Sequence, residues 1–239
     1  MKKGHQHLMT QIITEIDQIF GDLGFLFVEG PEVETSCYNF DRLNIPANHP
    51  ARDMHDTFWL HEADVSEPSV LRTHTSPVQA RYMEKHSPPI RIIAPGKVFR
   101  NEATDATHEA QFFQLEGLYV DNGVNMSHLK GTLEYFFTRF FGGEVATRFR
   151  PSYFPFVEPG VEVDMKIKMN QNKKEEDTWL EVMGAGMVHP NVLRESGVDP
   201  EIYSGFAFGV GVDRLAVIRH GVSDIRQMYT GDLRFVNQF

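Results

Sequence analysis

Apolar residues recur at Leu8, Ile12, Ile16, Ile19, Phe20 and Leu23, three or four apart, and so share one helical face. The spacing predicts an amphipathic opening helix. After Gly24 the run FLFVEGPEVE turns β-like, with Pro31 limiting how regularly a strand can continue or pair. Residues 36–56 (SCYNFDRLNIPANHPARDMHD) are rich in Pro, Asn and Asp and read as a loop ordered by its aromatics. TFWLHEADV reads as a short strand. In LRTHTSPVQARYMEKH, Ser76 before Pro77 is the signal of an N-cap followed by the first helical residue. That places His74 and Ser76 where a strand ends and a helix begins, a common meeting point with ligands.

PIRIIAPGKVFR reads as strand, turn, strand. About ten residues, NEATDATHEA, separate it from FFQLEGLYVD, so the two segments form a long-looped antiparallel hairpin. On its second strand Phe112, Gln114, Glu116, Leu118 and Val120 share one face. Leu129, Leu133, Phe136, Phe137, Phe140 and Phe141 mark a second amphipathic helix, capped by Ser127 and stopped by Gly142-Gly143. In GVEVDMKIKM, Val161, Val163, Met165, Ile167 and Met169 alternate with charged residues, the pattern of a half-buried strand. QNKKEED turns it into the strand TWLEVMGAG, and GFAFGVGVDRLAVIRHG is a strand feeding a helix that begins near Asp213. Strands joined by hairpins outnumber helices, so the expected class is α+β, an antiparallel sheet flanked by helices.

A chain of 239 residues, 41% hydrophobic and with nineteen phenylalanines, suits one large domain with an aromatic interior. No apolar run is long enough for a membrane, the start MKKGHQHLMTQ has no signal-peptide pattern, and the single Cys37 suits a reducing cytoplasm. A net charge of −10 argues against nonspecific polyanion binding, so any nucleic-acid partner is held locally. GxxxxGK[ST], HExxH, paired CxxC and GxSxG are all absent, and the eleven histidines show no zinc spacing. Arg100 ends a strand before the long loop, and Arg214 follows three glycines at a strand-to-helix junction. Each is either a solvated surface charge or a bidentate ligand for phosphate. Gln114 and Glu116 are either a solvent-facing strand side, which spacing alone slightly favours, or a pair of acceptors for an ammonium group. Phe154 and Phe156, one residue apart in YFPFVEPG, fit core packing about as well as ring recognition.

The ordered set GDLGFLFVEGPEVE, LRTHTSPVQ, APGKVFRNEATDATHEAQFFQLEG, RPSYFPFVEPGVEVD, WLEVMGAGMVHPNVL and YSGFAFGVGVDRLA closely resembles the catalytic domain of bacterial-type phenylalanyl-tRNA synthetase α subunits, which are class II synthetases. The resemblance runs from about Gly4 to Phe239 and implies a single class II catalytic domain over 1–239. The family's N-terminal coiled-coil arm has no counterpart in it. It further implies ATP-dependent activation of L-phenylalanine and transfer to tRNA(Phe), in an (αβ)2 assembly whose β subunit edits tyrosine. The helix and strand ending near Pro31 would be an interface element. Arg100 would contact the α-phosphate and the amino acid's carboxylate, Glu102 and His108 would lie around ATP, Phe112 would stack on adenine, and Arg214 would clamp the γ-phosphate.

By the same resemblance His74, Ser76, Gln79, Gln114 and Glu116 surround the amino acid. Phe154 and Phe156 meet its ring edge to face, a geometry worth roughly 0.5–1.5 kcal/mol per pair, and Ala207 floors the ring pocket. Glu158 matches the position associated with Mg2+. Asp213 stands where the family usually carries Glu, and Phe113 where many members carry His. The alternatives are a stand-alone amino-acid-activating ligase that uses no tRNA, or a non-catalytic module that binds a ligand or partner.

Overall fold

The computed structural model describes residues 4–46, 57–60, 67–171 and 174–239. In chain order the elements are α1 (Leu8–Gly21), β1 (Leu26–Phe27), β2 (Val33–Thr35), α2 (Ser36–Asn39), a 3-10 turn (Asp41–Leu43), β3 (Trp59–Leu60) and β4 (Ser69–Leu71). Then come α3 (Ser76–Met83), β5 (Ile90–Phe99), β6 (Gln111–Asp121), α4 (Met126–Phe141), β7 (Thr147–Phe154), β8 (Val157–Gln171) and β9 (Lys174–Val188). The chain closes with α5 (Pro190–Glu195), β10 (Ser204–Gly211), α6 (Val212–His220), a 3-10 turn (Ile225–Met228) and α7 (Leu233–Val236).

The main sheet has seven strands in the order β1-β5-β6-β10-β9-β8-β7. Only β1 runs parallel to its neighbour; every other pair is antiparallel. A small sheet, β2-β4-β3, stands beside it. Period-two alternation divides the strands between two cores. Phe206, Phe208 and Val210 of β10 face α1, α4 and α6, where Phe20 stacks on Phe136 at 4.9 Å and on Phe208 at 5.4 Å. Ala207 of β10 faces the other way, toward Ile92, Leu118, Val188 and Val192, under α3 and α5. Gly117, opposite Phe208 in the ladder, has no room for a side chain, because a Cβ there would fall 2.1 Å from the Phe208 ring.

Several local expectations change. IRIIAPGKVF is one continuous strand, not strand-turn-strand: Pro95 and Gly96 stay in register opposite Leu115 and Gln114. Part of the expected loop is helical, α2 and the 3-10 turn, with Phe40, Leu43 and Ile45 buried together; its remainder, 47–56, lies outside the described residues, as do 61–65 of the strand expected in TFWLHEADV. Asn125, not Ser127, caps α4, because its Oδ1 accepts the Ser127 N–H at 3.0 Å while His128 returns a bond to the Asn125 N–H. Ser76 is itself the first residue of α3, behind Thr75, which leaves its hydroxyl for other work. Strands β8 and β9 pair as far as Gln171 opposite Lys174, so most of QNKKEED is ladder, and 172–173 lie outside the described residues.

Candidate active site

The face of the sheet away from the long helices carries a bare patch. Ala207 and Gly209 of β10 stand opposite Gly186 and Gly184 of β9, four adjacent positions with one methyl group among them. Over this floor opens a cavity of about 340 Å3. His74, Ser76, Gln79, Gln114, Glu116, Phe154, Phe156 and Ala207 all line it, so the fold gathers every residue expected around an amino acid. The two phenylalanine rings sit side by side, centroids 5.9 Å apart and planes 23° from parallel, presenting an aromatic wall. Leu43, Ile45, Val157, Val188 and Val192 complete its apolar end.

Glu116 occupies the opposite, polar end. It is 6% exposed, and its ladder partner is Gly209. Gln79 Nε2 donates to one carboxylate oxygen at 2.9 Å and Gln114 Nε2 to the other at 3.2 Å. The Ser76 hydroxyl and the Ser76 and Thr75 backbone N–H groups face it and favour its charged form. Burial nevertheless dominates and pushes the Glu116 pKa up to about 7. The amide oxygen of Gln114 is buried with no hydrogen-bond partner among the described residues. An anion in low dielectric beside an unsatisfied carbonyl oxygen is a receptor for a cation that carries several N–H donors.

A second cavity of about 320 Å3 lies between the 101–110 loop and the N-terminus of α6. Arg100, Glu102, His108, Phe112 and Arg214 line it, the whole set expected around a nucleotide. Arg100 lines both cavities. Its Nε donates to the Thr73 carbonyl at 3.1 Å, which orients the side chain. Its guanidinium lies 5.0 Å from the centre of the Phe112 ring, covering one face. Burial lowers its pKa, against the pull of Glu102 and Glu116. Arg214 is exposed and pairs with no carboxylate among the described residues, so its charge is available to an anion at the helix N-terminus. The loop is braced internally: Asp105 accepts the Thr107 N–H at 2.6 Å and the His108 N–H at 2.8 Å, and these bonds hold its pKa well below the ordinary carboxylate range.

Two features escaped the sequence reading. The Phe113 N–H donates to Asp213 Oδ2 at 2.7 Å, and the Tyr229 hydroxyl donates to Asp213 Oδ1. The two positions that depart from the family pattern are thus in contact, and Asp213, 5% exposed, ties β6, α6 and the C-terminal segment together. The second is the row of glycines on β9, which no side-chain pattern announces.

Glu158 differs from the rest: it lines neither cavity, is 75% exposed and lies 3.4 Å from His189 Nε2. Among the described residues no three His, Cys, Asp or Glu side chains gather to hold a metal. One carboxylate is too few for a protein-built cage, and outside both cavities Glu158 does not fit the expected place beside substrate phosphates.

The whole chain, residues 1–239, matches the family model described as tRNA synthetases class II core domain (F). It is 53% identical over 242 residues to a protein of Dehalococcoides mccartyi named phenylalanine–tRNA ligase alpha subunit, covering 99% of this chain and 70% of that protein. Proteins of the same name from Enterococcus faecalis and Pseudomonas fluorescens are 53% and 54% identical, covering 100% and 99% of this chain and 69% of each relative. Among solved structures, pyrrolysyl-tRNA synthetase from Desulfitobacterium hafniense superposes with a TM-score of 0.70 at 19% identity, over 95% of this chain and 74% of that one. That last likeness speaks for the fold: a seven-stranded sheet flanked by helices. The chain belongs to the class II tRNA synthetase core-domain (F) family.

Proposed function

We propose that this chain is the catalytic unit of a phenylalanine–tRNA ligase α subunit, one domain over 1–239, which activates L-phenylalanine with ATP and passes it to tRNA(Phe). The carrying observation is the pair of cavities that meet at Arg100, one with an aromatic wall and a buried carboxylate, the other lined by cations and an aromatic ring. In this reading the ammonium of phenylalanine binds Glu116 and the Gln114 carbonyl oxygen, with Ser76, Gln79 and His74 holding that end. The ring lies on Ala207 against Phe154 and Phe156. Adenine stacks on the open face of Phe112, beside Glu102 and His108.

The substrate's carboxylate oxygen attacks the α-phosphorus. A P–O bond forms there as the bond to the β-phosphate oxygen breaks, and pyrophosphate leaves. No enzyme nucleophile is required. Arg100 bears on the charge at the α-phosphate and Arg214 on the γ-phosphate, so catalysis rests on positioning and fixed charge. Mg2+ would come with the ATP phosphates and screen their charge. A β subunit, tRNA and a cytoplasmic location belong to the same reading; among the described residues no helix is long and apolar enough to cross a membrane.

The test is ATP-pyrophosphate exchange by the chain together with its partner subunit. Phenylalanine should drive exchange roughly a hundredfold better than tyrosine does before editing, the modest preference expected of an apolar site facing one added hydroxyl. Exchange driven equally by unrelated amino acids, or by none, would remove the reading.

A further inference from the structure

Phe154 reaches the cavity from β7, with Phe156 at its side and the second core cluster behind it. It lies over two glycines on neighbouring strands, Gly160 of β8 and Gly184 of β9. A Cβ built on Gly184 would fall 3.0 Å from Phe154 Cζ and 3.3 Å from Cε2. One built on Gly160 would fall 2.8 Å from the Ser152 carbonyl oxygen and 3.3 Å from Phe154 Cδ2. Real Cβ atoms rarely approach so closely, so a methyl on Gly184 would push the ring up by a few tenths of an ångström, and one on Gly160 would crowd the Ser152 carbonyl as well as the ring. Gly184 lines the cavity itself, and its ladder partner Gly209 lies beside the amine end, where a Cβ would meet Gln114 Nε2 at 3.2 Å and Glu116 Cγ at 3.3 Å.

We propose that Gly160 and Gly184 form a seat under the Phe154 ring that sets the width of the aromatic slot, making Gly184 a specificity-determining positioning residue. The inference rests on the phenylalanine reading above. A strand interior disfavours glycine, which gives up packing and costs more backbone entropy than alanine. Here the missing methyl has a use, since it lets the aromatic wall sit low and leaves room for a second ring above the floor. Gly209 provides the contrast. It is equally bare and directly opposite, but its neighbours are the ammonium receptors, so a methyl there disturbs the other end of the substrate.

The assay is amino-acid-dependent ATP-pyrophosphate exchange by the assembly with its partner subunit. Gly184→Ala should raise KM for phenylalanine about fivefold or more while leaving kcat and the KM for ATP within about twofold. Phe154→Leu, which removes the lifted ring, should cancel the effect: Gly184→Ala/Phe154→Leu should have a KM no higher than Phe154→Leu alone. Gly209→Ala should also raise the phenylalanine KM, but Phe154→Leu should not relieve it. If Gly184→Ala does not assemble, the comparison within the Phe154→Leu background decides alone. An unchanged KM, a parallel rise in the KM for ATP, or a penalty that persists without the Phe154 ring overturns the seat. Absence of phenylalanine-driven exchange in the unmutated assembly is a different result, and it takes the functional reading down together with the seat.

Discussion

Glu116 shows how one residue can be read two ways until its surroundings are known. On spacing it is one of a strand's polar residues, and spacing alone favours water. In the fold that face is roofed by α3, and the carboxylate is left with bonds from Gln79 and Gln114 and with the first turn of the helix facing it. Those bonds do not offset desolvation, so its pKa sits near 7. The sign follows directly. An acid with a raised folded-state pKa binds more protons folded than unfolded between about 4.5 and 7, so its contribution to stability falls as pH rises through that window. Substrate binding runs the opposite way, because an ammonium needs the anion. The KM for phenylalanine should therefore rise as pH falls below about 7, by up to about tenfold per unit. Glu116→Gln should give a uniformly high KM that is flat with pH. A flat profile in the unmutated assembly would show that Glu116 does not receive the ammonium.

At the scale of elements, β6 and α6 form the two jaws of the nucleotide cavity, with Phe112 on one and Arg214 on the other. Asp213 fastens them, accepting the Phe113 N–H from one jaw and the Tyr229 hydroxyl from the C-terminal segment. Burial raises the Asp213 pKa, and the Asp213 charge with burial raises that of Tyr229, so the proton stays on the phenol. Tyr229→Phe deletes one donor to a buried carboxyl group and should cost about 1–3 kcal/mol of stability. Thermal unfolding should report the loss, and the KM for ATP should rise several-fold while that for phenylalanine holds. Equal effects on both substrates would mean a general loosening instead. Sequence periodicity was enough to find α1, α4 and the alternating strands, since a helix or strand face is a local pattern. Asn125 in place of Ser127, the unbroken β5 and the Asp213 tie depend on partners far along the chain or on cap geometry, and no local pattern encodes them.

Across the whole molecule the site draws residues from five strands, β6 to β10, from α3, α5 and α6, and from the loops between them, so its assembly is a property of sheet order. The sheet brings β10 between β6 and β9, and with it Ala207 and Gly209 beside Glu116 and Gly184. The motifs pointed to residues that, Glu158 apart, the fold gathers around two cavities, because Arg, His, Gln and Phe announce chemistry. The β9 glycines that make space for a ligand were not readable that way: an absent side chain has no pattern until its neighbours are placed. Arg100 is where the two halves join, and it gives the molecule its directional test. Glu116→Gln should burden phenylalanine alone and Tyr229→Phe should burden ATP alone. Arg100→Ala, lying on both cavities, should raise both KM values and also lower kcat by about a hundredfold or more, since it bears on charge that develops in the transition state. Arg100→Lys keeps the charge but loses the planar fork and the bond to Thr73, so it should recover only a small part of that rate. Steady-state exchange with each substrate varied in turn separates these patterns. A loss in Arg100→Ala confined to one substrate would mean that the cavities act independently and that the adenylate does not form at their junction.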